Sequence, residues 1–394
     1  MIAEGKSLLD AATLAGIVGV LLLGGGAAAR SQEATDPAPK AADDTKVTFT
    51  GYLETFYSYN LNRPGNNVTA FRGFDNRSDT FTVSNAVLDA AWASKNVSGH
   101  LVLQVGHTPE TYYLAEPSFP AVGGVGKSTM DVWKYIQQAT LGWKTGIGRG
   151  LQLEGGVFLS PIGPEGMAVK DNWNWSRSDL FYGLPFYHTG VRANYSASDR
   201  LTLTAAVYNG WNDVTDNNRN KSVSVQALYS VTDKLTASAL YFGGVERSTG
   251  APEGEPWRNL FDGHVTLSVT PRFSAQLHLD GGFENNTFGR SDWFATAAAA
   301  RIQARPWLYL AARGDVFWEN AASNELGTAS AIFWPADRVS SATFTVDARP
   351  TEKLSIRLEY RHDSASGPMF FGDDPETPDR DSQDTVTLGM VAWF

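Results

Sequence analysis

Residues 121–129 read AVGGVGKST, a small residue and four spacers followed by Gly126, Lys127 and Ser128. That spacing is the looser form of a phosphate-cradling loop, in which backbone N–H groups and a lysine surround the phosphates of a nucleotide. The chemistry requires a strand before the loop and a helix after it, within a βαβ unit. Here the stretch stands between HLVLQVGH and WKYIQQATLGW, and the element that follows reads as another strand. The nucleotide reading fails on this context. Gly123, Gly124 and Gly126 are expected instead to let a surface loop turn sharply.

The other residues that could do chemistry are scattered. The six histidines (His100, His107, His188, His264, His278 and His362) show no metal spacing. His264 and His278 can meet across a hairpin but lack a third ligand, so they read as polar interior positions and no metal is expected. The chain has no cysteine, which removes thiol nucleophiles, thiolate metal sites and disulfides. No GxSxG string occurs, no catalytic residue is assigned, and neither an enzyme nor a cofactor is expected. Asp373, Asp374, Glu376, Asp379 and Asp381 crowd one late loop. They read as a solvated acidic loop, with divalent ions bridging lipopolysaccharide as the alternative. A formal charge of −10 argues against a nucleic-acid partner, which needs a basic face.

The elements that must position any site come next. The run at 11–29, AATLAGIVGVLLLGGGAAA, ends in small residues, with Ala27-Ala28-Ala29 fitting a cleavage site. It reads as a secretory signal peptide over 1–29, the alternative being an uncleaved anchor. Residues 30–46 are a polar lead-in, flexible and on the periplasmic side. From 47 to 394 the pattern has period two. In KLSIRLEYRHD, at 353–363, Leu354, Ile356, Leu358 and Tyr360 share one face, and Ser355, Arg357, Glu359 and Arg361 the other. Segments of similar length recur from Arg200, Lys234, Arg272 and Trp307, long enough for tilted membrane-spanning strands. Seven short turns alternate with longer polar loops. They predict an all-β fold, a transmembrane antiparallel up-and-down barrel of about 16 strands with short periplasmic turns and long extracellular loops. The last strand alternates to a terminal Phe394, which fits recognition by the barrel-assembly machinery in the outer membrane of a Gram-negative bacterium.

GYLETFYSYNLNRPGNN at 51–67, FRGFDNRSDTFTVSNAVL at 71–88 and SPIGPEGMAVKDNWNWSRSDLFYGLPFYHTGVR at 160–192 carry a resemblance. They resemble the OmpL-like outer-membrane β-barrel porins. The resemblance implies a channel for small solutes without saying which.

The strand pattern leads to the same expectation. A barrel of this size encloses water, and transport through it is passive diffusion of small hydrophilic solutes. The alternative is a barrel that binds surfaces through its long loops, as an adhesin does. Outer-membrane lipids and lipopolysaccharide are the expected surroundings, and a homo-oligomer is compatible with the sequence. The third long loop, about 161–185, carries Trp173 and Trp175 beside Glu165, Lys170, Asp171, Arg177 and Asp179. So aromatic a loop is expected to fold into the lumen and narrow it, the alternative being packing at the rim or on a neighbouring subunit. Period two places Arg301, Arg313, Arg357 and Arg361 on one inner wall with Glu359, and Arg192 and Glu154 on another. These are the candidate pore-lining residues. They are expected to set up a transverse field or, equally, to pair with neighbouring carboxylates and stiffen the wall.

Overall fold

The computed structural model describes residues 45–114, 116 and 130–394. The signal segment 1–29, the lead-in up to residue 44 and the stretch at 121–129 lie outside the described residues. Sixteen antiparallel strands close into one barrel: β1 (Lys46–Asn60), β2 (Thr80–Ala93), β3 (Val97–Val105), β4 (Ile136–Lys144), β5 (Gln152–Leu159), β6 (Tyr187–Ser196), β7 (Leu201–Tyr208), β8 (Ser222–Thr232), β9 (Leu235–Val245), β10 (Trp257–Thr270), β11 (Phe273–Asn286), β12 (Gly289–Arg305), β13 (Leu308–Asn320), β14 (Arg338–Thr351), β15 (Leu354–Ala365) and β16 (Ser382–Trp393). Each strand pairs with its neighbour in sequence, and β16 returns to β1 with Tyr52 opposite Trp393 and Asn60 opposite Thr385. Closure pairs the sheet's backbone groups all round, which lets the wall face hydrocarbon.

Side-chain alternation sorts the two faces. On β15, Leu358 and Tyr360 are exposed outward, while Ser355, Arg357, Glu359 and Arg361 are buried inside. Leu388, Met390 and Phe394 continue the exposed apolar band at the seam. One rim carries only brief connections, at 94–96, 145–151, 197–200, 233–234, 271–272, 306–307 and 352–353. The opposite rim carries the long ones, with one exception. β11 and β12 are joined there by 287–288 alone, because Gly289 turns the chain at φ +127°, a value that only glycine adopts without strain.

The interior has two layers. Toward the short-turn rim the inward residues are mixed, with Asp347, Ser355 and Arg357 polar and Tyr52, Val87, Val102 and Val391 clustering with Trp175. Toward the long-loop rim, Phe158, Tyr208, Leu240, Phe242, Leu260, Trp293 and Phe317 point inward and are buried. They pack with Ile162, Leu180 and Leu184 of the third loop and with Trp334, Met369 and Phe370 from the last two. This part of the barrel therefore holds an apolar cluster built with its own loops, a feature the polar inward faces read from the sequence do not suggest.

Candidate functional site

The third loop, residues 160–186, leaves β5, crosses the interior and is clamped against the wall made by β13 to β16. The clamp is made by wall side chains on the loop's main chain. Arg313 donates to Ser176 O at 2.7 Å, Arg357 to Asn174 O at 2.9 Å and Arg361 to Arg177 O. Glu359 accepts from the N–H of Trp175 at 2.5 Å and of Ser176 at 2.9 Å, and from the Thr345 hydroxyl at 2.7 Å. Asp315 accepts from Asp179 N at 2.8 Å. Charge-assisted bonds of this kind are the stronger class.

Packing completes the seat. Trp175 lies at 1% exposure over Gly389 of β16, where a Cβ would meet the indole at 2.3 Å. Only glycine lets the ring approach the wall so closely. A short helical turn, Asp179–Tyr182, follows, with Ser178 capping it through Phe181 N. Within the loop, Arg177 donates to the carbonyls of Gly166, Met167 and Trp175 and stacks on Phe74 at 5.0 Å. Glu165 ties Ser178 N at 3.1 Å to Arg313 at 2.8 Å.

The charged residues named from the sequence therefore separate into two groups. Arg313, Arg357 and Arg361 face inward as period two requires, but they are covered by the loop at 5%, 0% and 0% exposure. Each also meets a carboxylate. Arg313 pairs with Asp315 at 3.2 Å, Arg357 with Asp347 at 3.6 Å, and Arg361 with Asp179 and Asp363 at 2.5 Å. Glu359 is buried with them at 1% exposure. The loop's main-chain oxygens and these carboxylates take up most of the guanidinium donors, Nη2 of Arg357 alone among these three arginines' side-chain nitrogens being buried without a hydrogen-bond partner. On the other side, Arg192 pairs with Glu154 at 2.6 Å and stacks on Phe158 at 4.4 Å. Lys170 pairs with Asp171 at 2.8 Å, and both remain accessible. Arg301 stacks on Trp173 at 5.2 Å.

A cavity of about 40 Å³ lies between the loop and the wall, bounded by Glu165, Trp173, Asn174, Gln276, His278 and Arg313. Among the described residues no cluster of His, Cys, Asp or Glu could hold a metal ion.

A family model described as β-barrel porin-2, OmpL-like, matches residues 46–394. The chain belongs to this family. Several solved outer-membrane proteins share its fold. OmpT, an outer membrane protein of Vibrio cholerae, superposes with a TM-score of 0.56 at 12% identity, covering 91% of this chain and 100% of its own. An anion-selective porin from Comamonas acidovorans gives 0.55 at 8%, covering 89% and 100%. The outer membrane channel DcaP of Acinetobacter baumannii gives 0.54 at 13%, covering 89% and 97%. At these identities the likeness is one of fold. No curated protein matches the chain.

In this porin-family barrel the sequence reading missed two groups of residues. One is the inward aromatic layer, which the same period-two parity could have flagged had residue type been read along it. The other lies in the long loops. Glu116 accepts from Val214 N at 2.8 Å, Thr215 N at 2.9 Å and the Tyr187 hydroxyl at 2.9 Å. Glu246, just past β9, accepts from Trp211 N at 2.8 Å. Asp213 sits near both at 2% exposure. Burial first, then the charges of Glu246 and Glu116, push the Asp213 carboxyl up to about 8. Burial also raises Glu246 to about 7.

Proposed function

We propose that this family member is an outer-membrane porin whose lumen passes small hydrophilic solutes by passive diffusion and is narrowed by its third loop. The observation that carries the reading is the closed sixteen-strand wall with residues 160–186 folded across the interior and fixed there by Arg313, Arg357, Arg361 and Glu359. A barrel of this size is wide enough to enclose water. Beside the covered arginines, Arg301, Arg192, Glu154, Lys170, Asp171 and Trp173 would line the way that solute takes. The third loop is spent inside the barrel, which supports a channel over a surface-binding role.

Export through a signal peptide cleaved after Ala29 places the chain in the envelope of a Gram-negative bacterium, with the short turns in the periplasm. Phe394, at the end of the exposed apolar face, addresses the assembly machinery. The outward band meets outer-membrane lipids and lipopolysaccharide. A second OmpT structure, described as a trimer form, shares the fold with a TM-score of 0.57, and it supports a homo-oligomer here. The test is the mature chain refolded in detergent and added to planar bilayers. Stepwise, ohmic conductance that grows with salt concentration is expected. Correctly folded protein that inserts without conducting would overturn the reading.

A further inference from the structure

Arg301 differs from its inward-facing neighbours Arg313, Arg349, Arg357 and Arg361, each of which meets a carboxylate. It is half-buried on β12 and faces the interior beside Ala311 of β13. It stacks on Trp173 of the loop at 5.2 Å and on Tyr309 of the wall at 5.4 Å. Yet among the described residues no carboxylate lies within 4.0 Å of it and nothing accepts a hydrogen bond from it. A guanidinium carries five N–H donors in a planar fork, and stacking leaves that fork free.

The surroundings sharpen the contrast. Arg349 stacks on the same Tyr309 ring at 4.8 Å, which adds a second positive charge. Asp347, an acid on this wall, already serves Arg349 at 2.8 Å, Arg357 at 3.6 Å and the Ser355 hydroxyl at 2.6 Å. Trp173 also lines a small cavity with Ala297, Ala299, Glu165, Asp171 and Arg313, a space that Arg301 does not line. A cation with unmet donors and an aromatic ring thus meet on the inner wall.

We propose that Arg301, seconded by Arg349, is a subsite for the carboxylate of small organic acids, with Trp173 carrying the planar or apolar body of the solute. The planar fork matches a carboxylate in two-point contact. The proposal rests on the porin reading for its meaning in transport, but binding at the subsite is measurable without transport.

The probes are benzoate and its neutral counterpart benzyl alcohol, titrated calorimetrically into detergent-solubilised protein at low ionic strength. Benzoate is expected to bind and benzyl alcohol to bind much more weakly. Arg301→Gln should weaken benzoate binding about tenfold or more, since a charge-assisted pair is lost. Arg301→Lys should recover part of it, and Trp173→Leu should weaken both probes. Heat-modifiable migration on gels confirms that each variant is a folded barrel. In bilayers, benzoate should reduce the current of the native pore and not that of Arg301→Gln. Equal binding of the two probes, or full benzoate binding by folded Arg301→Gln, would show that Arg301 only clasps the loop and would overturn the proposal. Absent conductance with intact benzoate binding would instead fault the porin reading and leave the subsite standing.

Discussion

Glu359→Gln tests whether the clamp holds the third loop. The native carboxylate accepts two main-chain N–H groups, at 2.5 and 2.9 Å, together with the Thr345 hydroxyl. A glutamine of the same shape keeps one acceptor oxygen and turns an NH₂ toward the other donor. One buried N–H is then left unmet, which costs roughly 1–3 kcal/mol. The three arginine bonds to the loop's carbonyls remain, so the loop stays seated but opens more often. Every 1.4 kcal/mol is about tenfold in an equilibrium constant, so opening should rise on the order of 5- to 150-fold.

The chain has no cysteine, which gives a clean reporter. Ser176→Cys places a thiol on the loop itself, at a position fully buried against the wall. Its labelling rate with a small maleimide follows the open population when closing is fast. Labelling of Ser176→Cys should accelerate by the stated factor when Glu359→Gln is added, with the barrel still folded by gel migration. An unchanged rate would refute the claim that Glu359 holds the loop.

Three other outcomes are expected. Leu358→Arg puts a cation on the exposed apolar face and should cost roughly 2–4 kcal/mol in the membrane, whereas Gln276→Arg faces the interior. Refolding yield into lipid vesicles should fall for the first far more than for the second. Gly389→Val has no room beneath Trp175 and should displace the ring, seen as a red-shifted tryptophan emission and noisier open-channel current. Asp213 is raised to about 8 in the folded loops, so between its ordinary value near 4 and about 8 the folded state binds more protons than the unfolded one. Stability of that loop packing is therefore greatest at low pH and declines as pH rises through this window. Proteolysis of loop 209–221 should quicken with pH, and Asp213→Asn should flatten the dependence.

Much of the barrel is legible in the sequence because its determinants are local. Period two on β15 assigns Leu358 outward and Arg357 inward from adjacent residues, and the short connections carry their own turn chemistry. Parity also puts Arg313, Arg357 and Arg361 inside, but it carries no information about what covers them. The loop that does so comes from residues some 180 positions earlier in the case of Arg361 and Asp179. The Glu116–Asp213 neighbourhood is hidden for the same reason, since two separate loops must fold before the carboxylates meet. Thr287 and Phe288 show a further limit. Their polar, asparagine-rich surroundings resemble a long loop, yet the strands extend to either side of a tight turn.

The wall's grip on the third loop has a consequence for how such a protein can change over generations. Arg313, Arg357, Arg361 and Glu359 engage carbonyls and N–H groups of residues 174–177, atoms that every amino acid except proline supplies. At these points the path of the loop is held without regard to the side chains it bears, while Trp175, Asp179 and Glu165 add side-chain contacts of their own. Trp173, Lys170 and Asp171, which reach into the accessible space, can be replaced without unfastening the segment that presents them. One set of residues keeps the aperture in place and another decides what meets it, so selection can act on passage while leaving the architecture of the gate untouched.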